Sequence, residues 1–284
     1  MPMKLVQSLM ILAVLSTPAR ADVKLPQASS AASISRSVGT TDVRIDYHSP
    51  GVKKRKIFGS LVPYGQVWRL GANDATTIRF STPVTMAGHE LPAGTYALFA
   101  IPSEKNWTLI VNKDWQQWGA YFYKPENDIF RVEAPTSRGD QTEWMRFDLD
   151  PITPTTLRAT FAWDRTRWSF DITANVNQLV WAQLDSAITV ESPDRWEAYH
   201  QAARFSLDTN ERTDESLTWI DQSMALKESF WNCELKARLL HRAGRTPEAL
   251  PLLDSAMALA EGKAPEEYID GLVTTRKEWV EAGK

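Results

Sequence analysis

The chain has 284 residues, of which 43% are hydrophobic, 24% charged and 10% aromatic, and its formal net charge is -3 at pH 7. This is globular composition, which excludes wholesale disorder and collagen-like repeats. It leaves no global basic field, so no nucleic-acid partner is expected.

Residues 1–21 read as a secretory signal peptide. Lys4 supplies a short positive start, residues 5–15 are apolar apart from Gln7 and Ser8, and Ser16-Thr17-Pro18 breaks the run. Ala19-Arg20-Ala21 then has the small-x-small form of a cleavage site, which predicts cutting after Ala21. The apolar run is about half the ~20 residues that span a bilayer. No later stretch approaches that length, so no membrane span is expected in the mature protein. Residues 22–32 read as a flexible N-terminal segment. The single cysteine, Cys233, has no partner for an internal disulfide, and a chain of this size can bury a core without one. A periplasmic or secreted bacterial protein is the expected setting.

Residues 34–173 read as short strands separated by turn residues. Val43-Arg44-Ile45-Asp46-Tyr47 alternates apolar and polar, as a half-buried strand does. Strands are expected next at 76–80 and 84–86, before a turn at Ala87-Gly88. Pro92-Ala93-Gly94 makes a second turn ahead of strands at 95–101, 107–111, 129–132 and 144–149. Residues 157–163 and 168–172 flank Asp164-Arg165-Thr166-Arg167, which predicts a hairpin with a four-residue loop. About ten short strands without intervening helices imply an all-β antiparallel sandwich or barrel-like domain, placed here at 33–175.

Residues 176–192 read as a linker, and from 193 the apolar period becomes helical. An internal repeat appears: the stretch from Thr213 to Leu226 aligns with that from Thr246 to Leu259, and Ala203-Arg204 aligns with Ala237-Arg238. The helix-turn-helix period of 33–34 residues resembles the tetratricopeptide repeat. A small α-helical tetratricopeptide-like domain is therefore expected over 193–284, closed by a capping helix at 264–280. With only about two units, it is expected to lean on the strand domain or on a protein partner.

The densest motif runs from Tyr47 to Thr77 and includes Val67-Trp68-Arg69-Leu70-Gly71-Ala72-Asn73-Asp74-Ala75-Thr76-Thr77. With Leu91-Pro92-Ala93-Gly94-Thr95-Tyr96 and Trp118-Gly119-Ala120-Tyr121, it resembles the family called domain of unknown function 2911, over about residues 33–173. Asp74 departs from the glutamate expected there and keeps the charge. The resemblance implies an exported bacterial β-domain and brings no assigned activity or catalytic residue.

Signals for chemistry are sparse. The histidines are His48, His89, His200 and His241, and none has metal-ligand spacing, so no metal or other cofactor is expected. His48 precedes Ser49, but neighbours on a strand face opposite ways and do not share a proton easily. Asp42 with Asp46, and Glu126 with Asp128, read as ordinary loop or edge charges. The run Lys53-Lys54-Arg55-Lys56 reads as a solvated loop, with an anion contact as its functional alternative.

The aromatic groups say more. Trp115, Trp118 and Tyr121 lie on a polar, loop-like stretch where flat rings suit sugars, prolines or planar ligands. Trp68, Arg69 and Asn73 add a ring, a cation for carboxylate or phosphate, and an amide. An internal network that fixes the loop is the equal alternative for Arg69 and Asn73. The leading expectation is an exported binding or interaction protein. Its β-domain groove takes a small molecule, glycan or peptide at Trp68, Arg69, Asn73, Trp115, Trp118 and Tyr121, and its helical tail docks a protein. The alternatives are a hydrolase with His48 beside Arg69 and Asn73, and a structural module that only supports the helices.

Overall fold

A computed structural model describes residues 26–282. The expected leader at 1–21 lies outside the described residues. Ten strands come first: β1 (Ser30–Val38), β2 (Thr41–Ser49), β3 (Thr76–Phe80), β4 (Val84–Met86), β5 (His89–Leu91), β6 (Gly94–Ile101), β7 (Asn106–Asn112), β8 (Asp128–Pro135), β9 (Ser137–Thr153) and β10 (Thr156–Ala174). Six helices follow: α1 (Val176–Thr189), α2 (Arg195–Thr209), α3 (Thr213–Leu226), α4 (Phe230–Arg242), α5 (Thr246–Ala260) and α6 (Glu266–Ala282).

The strands form two open antiparallel sheets, ordered β1-β2-β3-β6-β7-β8 and β5-β4-β10-β9, and among the described residues no barrel closes. Alternation on β2 turns Val43, Ile45 and Tyr47 inward while Arg44, Asp46 and His48 face out. On the facing sheet Met145, Phe147 and Leu149 of β9, with Phe161, Trp163 and Trp168 of β10, complete the sandwich core. Phe58, Trp68 and Trp107 interlock with them edge-on and stacked, Trp68 lying 5.8 Å from Trp163 at 20°. Each such pair adds about 0.5–1.5 kcal/mol beyond the area it buries.

β6 is buried on both faces, which explains its unbroken apolar run. Leu98 and Ala100 enter the sandwich, whereas Ala97 and Phe99 join Ala75 and Ile110 on the outer face. The loop at 113–124 covers that outer patch through Ala120 and Tyr123. Asp128 holds the loop's far end, accepting hydrogen bonds from Asn112 Nδ2 (2.8 Å) and the Tyr123 hydroxyl (2.7 Å).

The hairpin expected at 157–172 is not formed. β10 is one strand of 19 residues, and the polar run stays paired to β9 through Asp164↔Thr142, Thr166↔Arg138 and Arg167↔Ser137. Asp164 adopts a left-handed φ of 52° between two register shifts, so the run is absorbed as a bulge rather than a turn. β9 lies at the edge of its sheet. Its middle is joined by the segment at 50–52, where Met145 N–H donates to Pro50 and Val52 N–H donates to Glu143.

The residues read as a linker are mostly helix α1, whose Asn175 side chain caps it by accepting from the Gln178 N–H. The segment read as flexible likewise ends in strand, with Ser30 to Ala32 already paired to β2. The sequence repeat falls on α3 and α5, and the expected capping helix is α6. The helices carry two cores of their own, one around Trp181, Tyr199 and Trp219, the other around Cys233, Leu253 and Leu272. Arg212 ties the first together. Its guanidinium lies 4.7 Å from both the Trp181 and Trp219 ring centres and pairs with Asp185 and Glu215. Val176, the first residue of α1, packs on the sandwich core. There Gly39, at a φ of 56°, leaves no room for a side chain against Val176. No helix among the described residues is long and apolar enough to cross a membrane.

Candidate functional site

The expected site residues come from two segments, the long connection at 50–75 and the loop at 113–124. Backbone hydrogen bonds fix both. Trp68 and Ala100 exchange N–H···O bonds of 2.7 and 2.8 Å, Ala72 N–H donates to His48, and Thr76 N–H donates to Arg69. The two segments then meet, Ala75 N–H donating to Gln117 and Gly119 N–H to Asn73. Leu70 and Asn73 hold left-handed φ values of 53° and 56° without being glycine, and Leu70 does so fully buried. Strain of that kind persists only where surrounding structure imposes it.

Two neighbouring concavities result. The first, about 480 Å³, is lined by Arg55, Gln66, Trp68, Arg69, Tyr121 and Trp163 among others, and no aspartate or glutamate among the described residues lines it. Arg69 is half-buried there, and its Nε is sealed from solvent with no hydrogen-bond partner among the described residues. Trp163 is on the same lining, and its indole N–H is also buried with no partner among the described residues. Burial pushes the Arg69 guanidinium below its ordinary range, an effect that the nearby Tyr121 hydroxyl opposes. Arg55 is held at the rim, its Nε donating to the Val52 carbonyl at 3.1 Å and its Nη2 to that of Gly51 at 2.6 Å.

The second concavity, about 540 Å³, opens on the outer face of β1, β2 and β3. His48, Asp74, Thr77, Trp115, Gln117 and Trp118 are on its lining. Gln117 is buried and its Oε1 has no donor among the described residues. A shared wall divides the two spaces, because Trp118 lines the second and Tyr121 the first, and their rings stack at 5.7 Å and 10°.

The expected residues are thus partly brought together. Trp68, Arg69 and Tyr121 share the first concavity, and His48, Trp115 and Trp118 share the second. Trp68 is core floor rather than an open stacking face, its Nε1 donating to the Gly71 carbonyl. Asn73 lines neither space and donates to the Gln27 side chain at 2.7 Å. His48 and Arg69 therefore do not converge with Asn73 on one centre. Ser49 turns inward and donates to the Met145 carbonyl, away from His48. Asp46 is engaged by Arg44, and Asp128 by the loop-holding network. No cluster of three or more His, Cys, Asp or Glu among the described residues is placed to hold a metal ion.

Trp163 and Gln117 escaped the sequence reading. A buried tryptophan in a strand looks like core, and nothing in the run Trp115-Gln116-Gln117-Trp118 marks one glutamine as unpaired. Arg55 was visible only as part of a charged run.

Residues 29–172 match the family model described as protein of unknown function (DUF2911). The chain belongs to the DUF2911 family. Both concavities and the wall between them fall within the matched DUF2911 residues, and the helices lie beyond it. No curated protein and no solved structure matches the chain.

Proposed function

We propose that this chain is an exported binding protein whose DUF2911 domain holds the anionic group of a small ligand in the Arg69 concavity. One observation carries the reading: Arg69 and Trp163 line one space, each with a buried N–H (Nε and Nε1) that has no acceptor among the described residues, and no aspartate or glutamate among those residues lines it. Leaving a buried donor unpaired costs about 1–3 kcal/mol, more when it is charged. A carboxylate or phosphate oxygen removes that cost and meets the planar guanidinium in its preferred geometry. Arg55 at the rim adds a second positive charge, and Tyr121 a flat ring.

Export rests on the leader read at 1–21, and protein docking on the repeated hairpins α2–α3 and α4–α5, which present exposed Leu226 and Trp231. The hydrolase reading draws no support from the geometry, since His48 and Arg69 line different spaces.

The test is a thermal-shift titration of the purified chain with inorganic phosphate, citrate and small carboxylates, beside Arg69→Met. Stabilisation that disappears in the variant supports the reading. A folded wild type indifferent to every anion overturns it.

A further inference from the structure

The second concavity differs in chemistry from the first. Among the described residues no lysine or arginine lines it. Its polar side chains include the acceptors Gln117, Asp74 and Asp46, the last already paired with Arg44. Gln117 is 7% exposed, and its Oε1 is buried without a donor among the described residues. The Asp74 carboxylate is exposed and makes no ion pair among the described residues. Thr77 and His48 can serve as acceptor or donor. Beside them stand two large aromatic surfaces, Trp115 at 42% and Trp118 at 57% exposure. Tyr121 stacks on the Trp118 indole.

We infer that this concavity is a carbohydrate subsite, taking the face of a hydroxylated ring on Trp118 and Trp115 and its hydroxyl protons at Gln117 Oε1 and Asp74. A sugar ring has an apolar C–H face that packs on a flat aromatic surface, and hydroxyls on its edge that donate to fixed acceptors. The buried amide oxygen of Gln117 lacks such a donor, and a buried acceptor left unpaired is costly. The volume, about 540 Å³, suits a ring with part of its neighbour. None of the described residues lines both concavities, so the subsite can be tested apart from the anion pocket.

The experiment is calorimetric titration of the full chain with three neutral probes, maltohexaose, cellohexaose and chitohexaose, and with tetramethylammonium. The variants are Trp118→Ala, Asp74→Ala and Arg69→Met, each checked for a native melt. At least one hexasaccharide binds the wild type, Trp118→Ala weakens it tenfold or more, Asp74→Ala weakens it severalfold, and Arg69→Met leaves it unchanged. The inference is overturned if no hexasaccharide binds a folded chain, if Trp118→Ala leaves binding intact, or if only tetramethylammonium binds. Hexasaccharide binding with no response to phosphate or citrate supports the subsite while removing the anion pocket.

Discussion

Replacing Arg69 by methionine keeps an aliphatic side chain of similar length and deletes the guanidinium. In a protein where that group is structural, the change destabilises. Here the Nε is buried without an acceptor, and no carboxylate lines the same space, among the described residues, so the group strains the free fold. An unpaired buried donor costs about 1–3 kcal/mol, and the half-exposed remainder of the guanidinium places Arg69 near the lower end. Arg69→Met should therefore raise the stability of the anion-free chain by about 1 kcal/mol, roughly 2–4 °C for a unit of this size. The order reverses with ligand. An anion at 100 times its Kd stabilises the wild type by about 2.7 kcal/mol and leaves the variant unmoved. Melts followed by near-ultraviolet circular dichroism in a zwitterionic buffer, with and without added anion, read both halves. A variant melting several degrees lower without anion would refute the reasoning, since it would show a structural partner for the guanidinium.

Three further outcomes are expected. Tyr123 is pushed up to about 12, first by burial and then by its bond to Asp128, so the fold favours the neutral phenol. That contribution, about 1 kcal/mol after solvent screening, is fully present below pH 10 and lost as pH rises through 12, and Tyr123→Phe should flatten this step in an alkaline fluorescence titration. Gly39→Ala places a side chain at a left-handed φ and against Val176, and urea unfolding should show a loss of about 2–3 kcal/mol. Arg212→Ala removes a cation stacked between Trp181 and Trp219 and two ion pairs. It should cost the helical unit about 1–2 kcal/mol and alter tryptophan emission, while leaving ligand response in the β-domain intact.

Legibility followed the range of the interactions. β2 and the inner half of β9 were readable because alternation is local, and α3 and α5 because the repeat preserves their spacing. β10 was misread because Asp164-Arg165-Thr166-Arg167 has the composition of a turn. What keeps it extended is pairing with Arg138 and Thr142 on another strand. α1 was missed because its apolar stripe is short and its cap is a single asparagine. For the site, Arg69, Trp118 and Tyr121 stood out by type. Their division between two spaces did not, since it depends on the Asp74↔Trp118 bridge joining segments remote in sequence.

The length of β9 has a consequence for how this protein behaves among copies of itself. Seventeen residues at a sheet edge, covered among the described residues around 143–145, offer a template on which another chain can add a strand. Arg138, Asp140, Arg146, Asp148 and Asp150 mark this edge with charge of both signs, and Pro151 withholds a donor near its end. The charges on β9 thus guard against edge-to-edge pairing, and neutralising them would make that edge stickier without touching either concavity.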